Sequence, residues 1–157
     1  MTRPTAATRR LALVATAAAI AIPASLAHAH DVTEPTINGP SNLGTTLAGS
    51  GKFDLPGVTL DCPPPDSAPP CRVTVKVKSR TALQLRAGGS RKVRTIGRVT
   101  YELEANRDLA EIWPAVLTSD GVKALKRYGK VKAVARVVNT QGEHSARRDL
   151  KLTVKPE

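Results

Sequence analysis

The chain has 157 residues, with 24 lysines and arginines against 13 acids, a formal charge of +11 and 41% hydrophobic residues. That length and apolar content suit one ordinary folded domain and argue against a wholly disordered polyelectrolyte. One phenylalanine, one tryptophan, two tyrosines and three histidines leave little material for base-stacking platforms or histidine catalysis.

Residues 1–29 read as an export signal. Met1 to Arg10 carries three arginines and no acid, Leu11 to Ile22 is apolar or small apart from Thr16, and Pro23 ends the run. Ala27-His28-Ala29 offers the small-x-small pattern of a cleavage site, so a secretory signal peptide cut after Ala29 is expected, with a cut after Ala27 as the rival. Twelve apolar residues make a helix of about 18 Å, too short for a hydrocarbon core of roughly 30 Å. No later stretch is apolar enough to span a bilayer, so the expected product is secreted or extracytoplasmic with no transmembrane span. Three of the 24 basic residues precede residue 30, which leaves 21 against 13 acids.

His30 to Lys52 is rich in Gly, Ser, Thr, Asn and Pro without sustained periodicity, and reads as a flexible N-terminal arm with at most one short strand. Residues 53–157 are expected to form the domain. Val58, Leu60 and Cys62 share one parity, as do Cys71, Val73, Val75 and Val77, so two neighbouring strands are predicted, Phe53 to Cys62 and Cys71 to Ser79. Between them runs Pro63 to Pro70, five of whose eight residues are proline. The two cysteines of an exported chain imply one disulfide, Cys62 to Cys71. Closing a ten-residue loop is worth about 2.7 kcal/mol in the chain-entropy model, less where prolines already stiffen the unfolded loop.

A basic connection follows, with Gln84-Leu85-Arg86 as a candidate edge strand and Gly88-Gly89 as a turn. Val99, Tyr101 and Leu103 alternate with Arg98, Thr100, Glu102 and Glu104 in a half-buried strand over Val93 to Glu104. Asn106-Arg107-Asp108 is read as a turn, and Glu111 to Thr118 as a strand with Pro114 at an edge or bulge. Whether Trp113, Ala115 and Leu117 or Ile112 and Val116 face inward is left open by the pattern. Val122, Leu125 and Tyr128 recur at helical spacing after Ser119-Asp120 and before Gly129, which predicts a short capped helix near 120–128. Val131, Ala133, Ala135 and Val137 form another inward row, Asn139 to Gly142 a turn, and Leu150, Leu152 and Val154 the last row.

About seven strands with turn signals every 8–12 residues and no βαβ rhythm predict an all-β antiparallel sandwich. The frame V-x-L-x-C, C-x-V-x-V, Ile96-Gly97, Leu117-Thr118 and Gly121 to Leu125 resembles modules of exported actinobacterial proteins. The stretch Val134 to Asn139 with Gln141-Gly142 is similar to the final hairpin of bacterial Ig-like domains, with Asn139 and Glu143 where an aspartate and a Gly-Asn pair are usual. The resemblance covers about Val58 to Val154. It implies an Ig-like sandwich and almost nothing about activity.

No nucleophile elbow is present, and Gly44 to Gly49 continues with Ser50 where a phosphate loop needs lysine. The single CX8C pair is not a zinc pattern. The expectation is therefore a protein without catalytic residues or cofactor. Cleavage after Ala29 would expose His30 as an N-terminal amine and imidazole, which resembles copper-handling β-sandwich proteins and copper polysaccharide oxygenases. A small copper-binding protein using His30, with His144 as second imidazole, is thus the alternative function. The leading candidate surface is basic. Lys76 and Lys78, Lys132 and Arg136, and Lys151 and Lys155 lie on the outward parity of three strands and make one cationic face if those strands share a sheet. Such a face suits an anionic cell-wall polymer or another envelope protein, and no specific nucleic acid. The functional expectation is an exported structural or adhesive module.

Overall fold

The computed structural model describes residues 34–63, 69–105 and 107–157. The expected signal peptide, His28, His30 and residues 64–68 of the proline loop lie outside the described residues. Among the described residues the domain is mostly β with one helix, α1 at Ser119–Tyr128. Its strands, in chain order, are β1 Thr36–Asn38, β2 Asn42–Gly49, β3 Lys52–Phe53, β4 Thr59–Cys62 and β5 Cys71–Ser79. Then follow β6 Thr95–Leu103, β7 Arg107–Glu111, β8 Ala115–Leu117, β9 Val131–Gln141 and β10 His144–Pro156.

Two sheets result. One has the order β1-β4-β7; the other closes on itself as a barrel in the order β10-β2-β3-β8-β6-β5-β9. Local pattern explains the long strands. Along β5 every second residue from Cys71 to Ser79 is buried, and along β9 the row Val131, Ala133, Ala135, Val137, Asn139 and Gln141 is buried. Leu150, Leu152 and Val154 do the same on β10. A β-branched side chain every second position fits one packed face of a pleated strand.

Several elements differ from their sequence reading. Segment 34–52, read as an arm, contains β1 and β2, and β2 pairs parallel with β10. Ser50 (φ 52°) and Gly51 (φ 76°) then turn β2 into β3, because a two-residue hairpin with positive φ at both centres matches strand twist. The stretch Phe53 to Cys62 is not one strand. β3 joins the barrel, whereas β4 belongs to the other sheet. β4 and β5 are therefore not neighbours, and the Cys62–Cys71 disulfide (Cα–Cα 5.9 Å) ties one sheet to the other.

Arg107 and Asp108, read as a turn, are strand residues of β7. Pro114 separates β7 from β8 as the chain passes from one sheet to the other. That change of sheet breaks the parity, so Ile112 and Ala115 are both buried while Trp113 and Val116 are exposed. Gln84 to Arg86 forms no strand; Leu83 makes a single bridge to Lys92 instead. The Gly88-Gly89 turn is present, with Gly89 N donating to Arg86 O. Residues Asn139 to Gln141 stay in β9, and the hairpin turns on Gly142 (φ 57°) and Glu143.

The helix forms where read but its cap is one residue earlier. Thr118 Oγ1 accepts from Gly121 N at 3.0 Å while donating to Thr95 O at 2.6 Å, so one hydroxyl caps α1 and pins it to β6. Asp120 sits in the first turn, Lys126 and Arg127 in the last, and Gly129 closes it in the left-handed region (φ 67°).

Candidate functional site

The six predicted surface cations are all exposed, and β5, β9 and β10, which carry them, are adjacent strands of the barrel wall. Strand register decides how they meet. Lys76 stands opposite Arg136, and Arg136 opposite Asp149. Two residues further on, Lys78 stands opposite Val134, and Val134 opposite Lys151. Lys132 is paired with Thr153, and Lys155 with Leu47 on β2. The structure thus brings Lys76, Lys78, Arg136 and Lys151 into two neighbouring rows, places Lys132 at the next, and leaves Lys155 beyond the end of β9. Lys76, Lys78, Val134 and Arg136 enclose a surface hollow of about 220 Å³.

Two further cations belong to this face. Arg98 on β6 stands directly opposite Lys76, and Arg147 on β10 opposite Val138. Arg98 lay on the polar parity of its strand, so half its placement was legible. Only the β5–β6 register puts it beside Lys76. Asp149 is the acid the sequence reading left out. Its carboxylate takes a forked bond from Arg136, Nε–Oδ1 2.9 Å and Nη2–Oδ2 3.1 Å, and lies 3.5 Å from Arg147. The bond from Arg136, reinforced by both positive charges, holds the Asp149 carboxyl below the usual aspartate range. The same bond raises Arg136.

Like charges directly opposite on neighbouring strands repel, and Arg98, Lys76 and Arg136 make three in succession. Asp149 relieves only the last of them. Lys76 and Arg98 have no ion pair among the described residues. The face is therefore polarised toward anions. This chain matches no family model, no curated protein and no solved structure. The residues alone carry the functional argument.

The metal expectation divides. His144 is half exposed, its Nδ1 3.7 Å from Glu34 Oε1, while His30 lies outside the described residues. Among the described residues no three His, Cys, Asp or Glu side chains gather to hold a metal ion. Among them too, no helix is long and apolar enough to cross a membrane.

One aromatic pair stands apart from the face. Trp113 is 56% exposed and stacks on buried Tyr101, ring centroids 4.4 Å apart and planes within 9°. Trp113 N donates to the Tyr101 hydroxyl at 3.3 Å. Burial raises the Tyr101 phenol above its ordinary value, against the opposing pull of that backbone donor.

Proposed function

We propose that this protein is an exported, non-catalytic Ig-like module that serves as a structural or adhesive element at the cell exterior and docks on anionic envelope polymers. The observation that carries the reading is the register of Arg98, Lys76 and Arg136 across three adjacent strands, with Lys78 and Lys151 in the next row. A polyanion supplies the counter-charge that Lys76 and Arg98 lack among the described residues, and its attraction acts over a Debye length of about 10 Å at 0.1 M salt.

The Ig-like part of the reading is supported by connectivity. A three-stranded sheet β1-β4-β7 is accompanied by the succession β10-β9-β5-β6, and β2 runs parallel to β10 beside the closing hairpin. An inter-sheet disulfide accords with that architecture. Export is supported by the charged, apolar and small-residue segments of the first 29 residues and by the oxidised cysteine pair. The resemblance to exported actinobacterial modules points the same way.

The test is sedimentation of the secreted protein with isolated cell wall at low and at physiological salt. Binding at low salt that weakens as salt rises is expected. Absent or salt-insensitive binding overturns the polymer reading, and salt-insensitive capture on protease-sensitive material instead points to an envelope protein.

A further inference from the structure

The cationic face is concave where β5, β6 and β8 meet. Lys76, Arg98 and Val116 form one cross-strand row, and Thr74 stands opposite Thr100 in the neighbouring row. With residues 93–95 and 117–120 they line a cleft of about 800 Å³. Arg94 also lines this cleft, and its side chain is anchored. Its Nη1 lies 3.3 Å from Asp120 Oδ2, and its backbone N donates to Ser79 Oγ at 2.9 Å. The Arg94 Nε is buried and makes no hydrogen bond among the described residues.

Directly opposed residues on antiparallel strands have Cα atoms only about 4.5–5.5 Å apart, so the Lys76 and Arg98 side chains leave the sheet side by side. Such a pair is unfavourable alone and well suited to grip one anionic group between an ammonium and a guanidinium fork. We propose that this cleft is an oxyanion seat. Lys76 and Arg98 hold a phosphate or carboxylate of the polymer, and the Thr74 and Thr100 hydroxyls bond the flanking polyol or sugar hydroxyls. The proposal rests on the polymer-binding reading and narrows it from a diffuse charged surface to one discrete site. Its ligand is a chain that alternates oxyanions with hydroxyl-bearing units.

Inorganic pyrophosphate is the first probe, with the melting temperature of the secreted protein as readout. A saturable rise is expected in the wild type. It is lost in Arg98→Gln and in Lys76→Gln, and kept in Lys126→Gln/Lys130→Gln, which removes two exposed charges outside the cleft. Both cleft variants relieve repulsion, so neither unliganded variant should melt below the wild type. No rise in the wild type, or a rise that survives Arg98→Gln, overturns the seat. Poly(glycerol phosphate) and oligogalacturonate of matched charge then separate phosphate from carboxylate chains. Arg98→Gln should weaken the preferred chain about tenfold, the worth of one charge-assisted contact. Equal losses in the cleft variant and the outside double variant overturn the seat and leave the polymer function standing. A wild type that holds pyrophosphate but neither chain supports the seat and overturns the polymer function.

Discussion

Asn139 on β9 donates its Nδ2 to the carbonyl oxygen of Asp61 on β4 at 2.9 Å, so one fully buried amide stitches the two sheets together. The same nitrogen reaches Thr36 O on β1 at 3.3 Å. Both acceptors are carbonyls, which requires the nitrogen end of the amide at this point. Asn139→Asp sets a carboxylate against two carbonyls, and should cost about 3 kcal/mol at neutral pH. Burial favours the protonated carboxyl, whose native pKa is therefore raised. The native state then binds more protons than the unfolded one, so the loss should shrink as the pH falls toward 4. Urea unfolding of both proteins at the two pH values checks this; an equal loss at both contradicts it.

The Cys62–Cys71 bridge closes a short loop, yet it joins two sheets rather than two paired strands. Gln141 Nε2 holds the two loop stems as well, through Pro63 O at 3.0 Å and Pro69 O at 3.2 Å. Removing the bridge thus frees mainly the unfolded chain. Cys62→Ala with Cys71→Ala should lower stability by about 2 kcal/mol. Equilibrium urea unfolding measures it, and a change below about 0.5 kcal/mol contradicts the assignment of the bridge as a stabilising staple.

Gly121 lets α1 lie on the backbone of β6. A Cβ built there would stand 2.0 Å from Ile96 O, a backbone atom with no rotamer to yield. Alanine is the better helix former by about 1 kcal/mol, so propensity alone predicts stabilisation. Overpacking wins, and Gly121→Ala should lose about 2 kcal/mol net. A raised melting temperature would show that the helix does not press on β6.

Asp149 gives the face an acid-sensitive ion pair. Its native carboxyl pKa is lowered by the Arg136 bond, so the stabilisation is complete above the ordinary aspartate range and is lost as the pH falls through the native value. Asp149→Asn should therefore melt slightly below the wild type at pH 7, and the gap should close as the pH falls through the native Asp149 value. The effect is small because both side chains are well exposed. The same substitution removes the acid beside Arg136 and Arg147, so it should strengthen binding to anionic polymer; weaker binding would contradict the role assigned to the face.

The Trp113 ring shields Tyr101. Trp113→Ala should cost about 1 kcal/mol and lower the Tyr101 phenol toward its ordinary value, because the group gains water. Spectrophotometric titration of tyrosinate follows this directly, and an unchanged titration contradicts the shielding.

Period-two alternation located β5, β9 and β10, because each of these long strands buries one face against the core and the pattern is written residue by residue. Ser119 and Asp120 ahead of a helical spacing, with Gly129 behind it, likewise located α1, although the capping hydroxyl proved to be that of Thr118. Strand partners are chosen by packing between distant segments, which no local window contains. That is why β2 passed for an arm: Gly44, Gly49 and its threonines carry no alternation, yet its edge completes β10. Phe53 and Leu60 sit on the same apolar stretch, but one enters the barrel and the other the second sheet. The outward cations were legible as a parity. Their register, which sets Lys76 between Arg98 and Arg136 and adds Asp149 at the end of the row, came from the pairing of β6, β5, β9 and β10. On β5, β9 and β10 the sequence by itself determined which side chains face water, because alternation is local; tertiary structure alone decided which charges stand together, because pairing is not.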